Sequence, residues 1–347
     1  MKVLVTGHAG YIGSVLAPAL REAGHDVVGL DTFYYRGCDF GHEPEFGPVL
    51  ELDVRDVRPA DLEGFDAVVH LAALSNDPLG DFNPGWTYAI NRDGTIALAR
   101  AAKEAGVRRF VFASSCSMYG AAEGDAPLTE AAPLRPLTPY AESKVTAESA
   151  LRELAGNDFA PVAMRNATVY GVSPRLRLDI VLNNLVAWAH TTGAIRLQSD
   201  GSSWRPLVHV RDVARAALAL LDAPEELVRG EAFNIGSDVQ NYRIRELAEI
   251  VHGRLPHCEV TFAEGASADP RSYRVDFSKF ESTFPHCRFE WTAERGADEL
   301  ARAYAEAGLT FDDFMGHRYI RLGQLKRLLD ARALDAELRW TPAPTTV

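Results

Sequence analysis

Apolar and polar residues alternate with two different periods along the first half of the chain. Runs rich in β-branched residues, typical of buried strands, occur at 2–6, 25–31, 49–54, 65–73, 108–114 and 162–167. Amphipathic stretches with the spacing of helices lie between them, at 14–23, 86–105 and 140–156. Strands that alternate with helices predict an α/β fold of the Rossmann type, in which a doubly wound parallel sheet carries helices on both faces.

The pattern changes after about residue 171. Proline, glycine and longer loops separate shorter elements there, with one return to strand-like sequence at 233–236. We therefore predict a first domain formed by residues 1–171 together with about 206–236. A smaller C-terminal α/β domain is then formed by about 172–205 together with 237–347. Leucines spaced along a charged stretch from 311 to 340 predict a helical tail.

A glycine-rich turn joins the first predicted strand to the first predicted helix. Its glycines let the chain turn tightly and let a pyrophosphate approach the backbone, while the helix N-terminus points free N–H groups at that phosphate. A strand before the turn and a helix after it make this pattern specific. The turn therefore predicts a dinucleotide site whose contacts include Gly7, Gly10, Tyr11, Ile12 and Gly13.

An acidic residue at the end of the second predicted strand indicates which dinucleotide binds. Asp31 follows Gly13 by 18 residues. A carboxylate at this position accepts hydrogen bonds from the ribose hydroxyls of adenosine and repels a 2′-phosphate, which favours NAD over NADP. Arg36 lies close enough in the sequence to keep NADP open as an alternative. The adenine edge and the phosphate channel have as further candidates Asp53, Val54, Leu71, Ala72 and Ala73.

A tyrosine and a lysine four residues apart are candidates for proton transfer. Tyr140 and Lys144 lie on one face of a predicted helix that begins at Thr138 and Pro139. The lysine ammonium and the helix dipole both favour phenolate, so we expect a tyrosine pKa lowered from about 10 towards neutrality. Such a phenolate can take the proton of a hydroxyl while hydride leaves its carbon for nicotinamide. Serines at 114–117 follow the fifth strand, where a hydroxyl can hold the reacting oxygen.

Composition and charge exclude several classes of protein. The formal net charge of the 347 residues is −12, which argues against nucleic acid as a partner because phosphate contacts need clustered lysines and arginines. No run approaches the ~18 apolar residues of a membrane span, so we expect no membrane contact. Four well-separated cysteines predict reduced thiols and a cytoplasmic location. The ten histidines show no metal-ligand spacing, so no metal site is expected.

Together these motifs resemble the extended short-chain dehydrogenase/reductase superfamily, in particular its nucleotide-sugar epimerases and dehydratases of the UDP-galactose 4-epimerase type. The matching motifs occur in order at 6–13, 31, 53, 70–73, 91–95, 114–120, 140–144, 165–171, 204–212 and 269–271. The resemblance implies NAD as the cofactor and a nucleotide-diphosphate sugar as the substrate. It also implies a homodimer with a four-helix interface, built from the helices near 86–105 and 140–156.

The resemblance also implies roles for individual residues. By it, Tyr140 is the general base, Lys144 binds the nicotinamide ribose, and Ser115 is the catalytic hydroxyl. Arg205 and Arg271 match arginines that grip the nucleotide diphosphate. Further cofactor contacts are implied for Asn91, Ser114 and Val169. The implied substrate contacts are Ser115, Cys116, Ser117, Tyr140, Thr168, Arg205 and Arg271.

The chain departs from the pattern of its relatives at two places. Sugar 4,6-dehydratases carry an Asp-Glu pair directly after the catalytic threonine, where this chain has Cys116 and Ser117. Without carboxylates, water elimination lacks its acid and base, which favours a 4-epimerase that works through a transient 4-keto sugar. Thr168 stands where many relatives place asparagine against the substrate phosphate.

Other interpretations of the same motifs stay open at this point. A dehydratase, a decarboxylase or a 4-ketoreductase uses the same scaffold, and a non-catalytic NAD-binding sensor is an alternative from another class. Cys116 is either an acid/base for chemistry at sugar C5 or a small buried side chain. Intact Tyr140, Lys144 and Ser115 argue against the sensor, which has no need of them.

Overall fold

The computed structural model describes residues 1–41, 44–75, 77–121, 124, 126–263, 265–267, 269 and 271–341. Its strands are β1 Lys2–Thr6, β2 Asp26–Asp31, β3 Val49–Glu51, β4 Ala67–His70, β5 Arg109–Ser115, β6 Ala160–Asn166, β7 Thr168–Tyr170, β8 Ala194–Leu197, β9 Trp204–His209, β10 Glu231–Ile235, β11 Asn241–Arg243 and β12 Glu259–Phe262. Its helices are α1 Gly13–Glu22, α2 Asp77–Phe82, α3 Pro84–Thr87, α4 Thr95–Glu104, α5 Pro139–Leu154, α6 Val181–Thr192, α7 Val210–Asp222, α8 Glu225–Val228, α9 Ile244–Arg254, α10 Ser278–Thr283, α11 Ala293–Ala307, α12 Phe311–Met315 and α13 Arg321–Asp330.

Seven strands form one parallel sheet in the order β10-β6-β5-β4-β1-β2-β3. Strand β1 pairs with β2 on one side and with β4 on the other, so the strand order changes direction at this point. The inner strands β4, β5 and β6 are buried along nearly their whole length, as expected when helices cover both faces of a sheet. The predicted doubly wound sheet of the Rossmann type is confirmed.

Most predicted elements match the observed ones within a few residues, but two differ in extent. The strand predicted at 49–54 keeps only Val49–Glu51, because Asp53 then accepts a hydrogen bond from Arg55 N and a 3₁₀ turn begins. The helix predicted at 86–105 is divided into α3, a π-helical stretch Tyr88–Gly94 and α4. Within that stretch Asn91 is fully buried, which changes its role in the site.

Two small sheets lie outside the main one. Strands β7, β9 and β11 form the first, and β8 pairs with β12 in the second. Strand β10 joins the edge of the main sheet by pairing with β6, whereas β9, which begins just before residue 206, pairs with β7. The division into domains at 171, 206 and 236 stays a prediction.

Three large apolar clusters, and a small fourth one of Tyr11, Ile180 and Val210, fill the spaces between these elements. One packs α1, α7 and α10 on one face of the main sheet, and a second packs α4, α5 and α13 on the other face. The third is built around α6, α9 and α11. Among the described residues, no helix has both the length and the apolar character needed to span a bilayer.

The tail is not the continuous helix that was predicted for 311–340. After α13 the chain turns, because Arg332 and Leu338 adopt the positive φ values of 54° and 57°, which end helical geometry. An isolated bridge then joins Leu334 to Trp340. The tail packs against the loop after β2, where the Trp340 indole N–H donates to Thr32 O at 2.6 Å. Residues 342–347 of the predicted second domain lie outside the described residues.

Candidate active site

A cleft of about 1090 Å³ opens beside β1, where the strand order changes direction and where doubly wound sheets bind ligands. Its volume slightly exceeds the ~300–1,000 Å³ of ordinary small-molecule sites, which gives room for two ligands. Nearly all of the predicted site residues line it. They are Gly7, Gly10, Tyr11, Ile12, Gly13, Asp31, Asp53, Val54, Leu71, Ala72, Ala73, Ser114, Ser115, Ser117, Tyr140, Lys144, Thr168, Val169, Arg205 and Arg271.

The glycine turn is packed too closely for side chains at two of its positions. A β-carbon on Gly7 would lie 2.7 Å from Ala72 N, and the φ of this glycine is +68°. A β-carbon on Gly13 would lie 2.3 Å from Gly7 O. No side chain of the described residues caps the N-terminus of α1, where Ser14 N and Val15 N donate to backbone carbonyls of the turn itself. This geometry fits a pyrophosphate at the turn.

Asp31 lies where the sequence predicted the ribose-binding carboxylate. It accepts hydrogen bonds from Ala9 N at 3.1 Å and from Phe33 N at 2.8 Å, which fix the side chain and leave lone pairs for hydroxyl groups. Burial raises the pKa of Asp31, and the hydrogen bond from Phe33 opposes that shift. Arg36, the residue that kept NADP open, pairs with Glu51 at 3.0 Å.

Asp53 is held by two arginines from different parts of the chain. Its carboxylate lies 2.6 Å from Arg55 Nη2 and 3.2 Å from Arg339 Nη1. Burial raises the pKa of Asp53, but hydrogen bonds from Arg55 outweigh this effect and hold the pKa below its ordinary value. This carboxylate therefore ties the turn after β3 to the returning tail, beside the buried apolar wall at Val54.

The structure brings the three predicted catalytic residues together. Helix α5 begins as expected, with Thr138 Oγ1 accepting a hydrogen bond from Ala141 N at 3.2 Å. Lys144 Nζ lies 5.8 Å from the centroid of the Tyr140 ring. Ser115, the last residue of β5, lines the same cleft and is close enough to Tyr140 to act on its pKa. A strand end and the first turn of a helix thus meet at the cleft.

The expected low pKa of the tyrosine is wrong for this pocket. Burial raises the pKa of Tyr140 to about 12, although its interaction with the Ser115 hydroxyl opposes the shift. Burial also lowers the pKa of Lys144 to about 7, even though its Nζ donates to the Ala113 carbonyl at 2.6 Å and lies 4.6 Å from the centroid of the Phe112 ring. A medium of low polarity disfavours phenolate and ammonium alike, and the sequence argument left this effect out.

Two neighbours of Ser115 make contacts within the protein. Ser114 Oγ donates to Glu148 Oε2 at 3.0 Å, although this serine also lines the cleft. Cys116 is fully buried, and its Sγ donates to Arg165 O at 3.0 Å. Burial raises the pKa of the Cys116 thiol, so the predicted substrate contact of this residue is wrong and the small buried side chain is confirmed.

Asn91 lies behind the cleft wall and does not line it, contrary to the predicted cofactor contact. Its side-chain amide exchanges hydrogen bonds with the backbone N and O of Leu74, at 2.8 and 2.9 Å. His70 is also buried there and hydrogen-bonds with Thr6 Oγ1 and Thr95 Oγ1. Burial lowers the pKa of His70 to about 3. These contacts hold the wall segment 71–74 in place.

Arg205 and Arg271 line another part of the cleft and share one carboxylate. Asp269 lies 2.6 Å from Arg205 Nη2 and 2.8 Å from Arg271 Nη2. Arg271 also pairs with Asp77, which accepts a hydrogen bond from Thr138 Oγ1. Hydrogen bonds with Asp269 raise the pKa of Arg271, so its charge is permanent. Two oriented guanidinium groups suit a diphosphate.

The position where Thr168 replaces asparagine has an amide nearby. Thr168 and Val169 reach the cleft on β7, directly after Asn166 at the end of β6. Asn166 also lines the cleft, and its Oδ1 is buried without a hydrogen-bond partner among the described residues. Ser117 also lines the cleft, and its Oγ is likewise buried without a hydrogen-bond partner among the described residues. These two atoms are acceptors available to a ligand.

Sequence reasoning missed a further set of charged residues in the cleft. Arg177 and Asp179 form an ion pair at 2.9 Å in the loop before α6, and Arg321 reaches the cleft from the start of α13. The available signal was weak, consisting of arginines that alternate with leucines at 175–178. Loop residues of this kind have no period that connects them to a distant turn.

Comparison with known proteins identifies the relatives of this chain. Residues 3–236 match the model of the NAD dependent epimerase/dehydratase family. The UDP-glucose 4-epimerase of Mycolicibacterium smegmatis is 34% identical over 269 residues, which are 74% of this chain and 83% of that enzyme. The structure of MoeE5 in complex with UDP-glucuronic acid and NAD has a TM-score of 0.75 at 28% identity and covers 88% of this chain and 100% of its own. DesIV, a dTDP-glucose 4,6-dehydratase from Streptomyces venezuelae with NAD and TYD bound, has a TM-score of 0.77 at 27% identity, covering 90% and 100%.

The matched segment contains the glycine turn and the predicted catalytic residues, whereas Asp269 and Arg271 lie beyond it. It spans the whole main sheet, the glycine turn and helix α5 with Tyr140 and Lys144. Its relatives include both an epimerase and a dehydratase, as expected of a scaffold on which different reactions begin with the same oxidation. On the extent of this match, the chain belongs to the NAD dependent epimerase/dehydratase family.

Proposed function

We propose that this protein is an NAD-dependent 4-epimerase of nucleotide-diphosphate sugars, which works through a transient 4-keto sugar. The observation that carries the proposal is the convergence of Tyr140, Ser115 and Lys144 on one wall of a cleft with room for two ligands. The similarity to the mycobacterial UDP-glucose 4-epimerase supports it.

The cofactor half of the cleft fits NAD. The uncapped N-terminus of α1 suits the pyrophosphate, and the fixed carboxylate of Asp31 suits the adenosine ribose. Lys144, beside Tyr140, is placed for the nicotinamide ribose. NAD, when bound there, supplies a hydride acceptor and a positive charge on its oxidised nicotinamide.

Tyr140 is placed to take the proton of the sugar 4-hydroxyl. Because Ser115 lines the cleft beside it, the two side chains can hold the same sugar oxygen. Because the pKa of Tyr140 is about 12 in this buried pocket, proton transfer near neutral pH depends on positive charge nearby. Lys144 and the bound cofactor supply that charge. When hydride returns to the other face of C4, Tyr140 gives the proton back to the same oxygen.

A second candidate, the dehydratase, is favoured by the similarity to DesIV. The residues at the end of β5 argue against it. The Cys116 thiol is buried and bound to a carbonyl, and Ser117 carries no carboxylate. Asp77, which interacts electrostatically with Tyr140, is occupied by Thr138 and Arg271. At the two described positions after Ser115 there is therefore no carboxylate pair to serve as acid and base for water elimination at C5 and C6.

We further infer a cytoplasmic homodimer. Two observations support the interface. Helices α4 and α5 lie on the same side of the main sheet, and each has an apolar residue that is not fully buried: Ala97 on α4 is exposed and Val145 on α5 is half-buried. The four cysteines are free thiols, as expected in a reducing compartment. Sedimentation of the purified protein should give about twice the 38.0 kDa chain mass, and a monomer alone would contradict the interface.

The reaction is tested with a panel of UDP-, dTDP- and GDP-sugars in deuterated water, with products separated by chromatography and weighed by mass spectrometry. We expect a new isomer of unchanged mass, because hydride leaves C4 and returns to it inside the site. Loss of water or of carbon dioxide, or deuterium bound to carbon, would instead establish chemistry at C5 or C6 and contradict the proposed 4-epimerase activity.

The first variant to make is Tyr140→Phe. We expect kcat to fall by about 10³-fold, within the range for losing a general acid–base group, while the Kd for NAD changes less than about 3-fold. Tyr242→Phe, a tyrosine outside the cleft lining, serves as the matched control and should keep its activity. Unchanged turnover in Tyr140→Phe contradicts the mechanism.

A further inference from the structure

Three buried arginines lie on the side of the cleft that faces the glycine turn. Arg175 and Arg177 belong to the loop between β7 and α6, and Arg321 is the first residue of α13. Their exposed fractions are 1%, 8% and 4%. We call these residues the arginine cluster. Arg177 and Arg321 line the cleft itself, together with Tyr11 of the glycine turn.

Direct contacts place the cluster on the cofactor half of the cleft. Arg175 Nε donates to Ala9 O, within the glycine turn, at 3.1 Å. Arg175 Nη1 donates to Tyr35 O, in the loop after β2, at 2.8 Å. Asn183 donates both to Arg177 O at 2.9 Å and to Tyr11 OH at 3.4 Å. The arginines are therefore joined to both segments that the dinucleotide is expected to contact.

Two members of the cluster have their own carboxylates. Arg175 pairs with Asp39, and Arg177 pairs with Asp179. Arg177 Nη1 also donates to Ser75 Oγ at 3.0 Å, on the wall that continues from the phosphate channel. These pairs fix the two guanidinium groups and neutralise one charge each.

Arg321 forms no ion pair of its own within the described part of the chain, although Asp179, the partner of Arg177, acts on it electrostatically. Its Nη2 donates to Arg175 O at 2.8 Å, and its guanidinium lies 4.2 Å from the centroid of the Tyr35 ring. Its Nη1 is buried without a hydrogen-bond partner, and no described carboxylate pairs with it. A buried, unpaired charge is costly, and stacking on one ring offsets the cost only in part. The cluster thus holds three guanidinium groups against two carboxylates.

We propose that Arg321, together with Arg177, binds the pyrophosphate of the dinucleotide from the side opposite the glycine turn. The inference rests on NAD as the cofactor in the proposed function. A pyrophosphate supplies the missing negative charge and the acceptors for the free Nη1, and a planar guanidinium matches its oxygens. The diphosphate of the sugar substrate has a separate pair of arginines, Arg205 and Arg271, on Asp269.

The tail holds Arg321 at this place. Gln324, one turn along α13, donates to Tyr34 O at 3.0 Å, and the Tyr34 hydroxyl donates to Leu338 O. Arg339 reaches Asp53 at 3.2 Å. The tail is therefore attached to both strand ends that face adenosine, although it lies beyond the residues 3–236 of the family model. It becomes part of the cofactor site, which favours retention of NAD over release after each turnover.

The test measures ligand binding and needs no turnover. NAD and ADP-ribose, which contain a pyrophosphate, and adenosine, which does not, are titrated into the full-length protein by calorimetry. Arg321→Met should weaken NAD and ADP-ribose by about 10- to 100-fold, the range for losing a charge-assisted contact, and leave adenosine within about 2-fold. Arg302→Met is the matched control, an exposed arginine on α11, and should change none of them.

UDP distinguishes the two diphosphates that could occupy the site. Its affinity should stay within about 2-fold in Arg321→Met, and a loss for UDP with NAD unchanged would overturn the proposal in favour of the substrate. Equal weakening of adenosine and ADP-ribose would overturn it too, because the arginine would then only support the fold. If Arg321→Met fails to fold, Arg321→Lys carries the test, and we expect a smaller loss confined to the same two ligands.

Failure of this inference is distinguishable from failure of the proposed function. An enzyme that binds NAD normally but forms no sugar isomer contradicts only the epimerase. An active epimerase whose NAD affinity is the same in Arg321→Met and in the unmodified protein contradicts only the role of the cluster.

Discussion

The two ends of the cleft surround their basic residues in opposite ways. Lys144 has an uncharged environment, with the Ala113 carbonyl and the Phe112 ring against its ammonium group. Arg271 lies between two carboxylates, of which Asp269 is 2.8 Å away. Burial accordingly lowers the pKa of Lys144 to about 7, whereas hydrogen bonds with Asp269 raise the pKa of Arg271.

The contrast shows how one cleft can both transfer protons and bind a charged ligand. A group whose pKa is brought near neutrality responds to a neighbouring proton or charge, as proton transfer requires. A guanidinium fixed by carboxylates keeps its charge and its direction, as recognition of a diphosphate requires. The arginine cluster near the glycine turn is intermediate, because two of its members are paired and Arg321 is not.

We expect the largest effect when the ammonium group of Lys144 is removed from its otherwise uncharged surroundings. Lys144→Met keeps the length and apolar stem of the side chain, and we expect kcat to fall by about 100-fold because the phenolate of Tyr140 loses a nearby cation. Steady-state kinetics on the sugar that the enzyme accepts measures this. Lys103→Met, on α4, is the control. A change in kcat smaller than about 3-fold contradicts the role of the ammonium.

The second expected effect is on the free energy of unfolding, and it concerns His70, which is buried near Lys144. Burial lowers the pKa of His70 to about 3 from its ordinary value of 6.5. The unfolded chain therefore binds more protons between these values, so the stability is lost as the pH falls from 6.5 towards 3. The slope is up to ~1.4 kcal/mol per pH unit from this group.

Urea unfolding at pH 7, 6, 5 and 4 measures that slope. We expect it to become shallower in His70→Gln and to stay unchanged in His317→Gln, an exposed histidine. Whatever the glutamine does to the stability at pH 7, the comparison depends only on the slope. Identical slopes in His70→Gln and the unmodified protein would show that another group is responsible.

The smallest expected effect concerns Arg205, at the other end of the cleft. Arg205→Lys keeps the charge but loses the planar fork that lies 2.6 Å from Asp269. We expect KM for the nucleotide sugar to rise by about 5- to 10-fold with kcat within about 2-fold, because only binding of the diphosphate is affected. Arg211→Lys, with an exposed side chain, is the control. A fall in kcat without a change in KM would place Arg205 in the chemistry instead.

Most of the fold and half of the site could be predicted because their signals are local in the sequence. The glycine turn, Asp31 and the pair Tyr140 and Lys144 each follow from spacing within one strand–helix unit. Asn91 was predicted wrongly for a related reason, since a motif residue is close in sequence to the wall while its side chain points behind it. The direction of a side chain depends on packing, which spacing does not contain.

By itself, the sequence determined that strands and helices alternate, that a dinucleotide turn opens the chain and that a tyrosine and a lysine share one helix face. These are properties of residues within a few positions of each other, set by backbone geometry and hydrophobic period. Three features depend on tertiary packing: the half-buried Tyr140 has a pKa of about 12, Cys116 faces away from the cleft, and Arg321 returns from the tail to the glycine turn. Desolvation and charge compensation depend on every group that packs around a site, and those groups come from segments far apart along the chain.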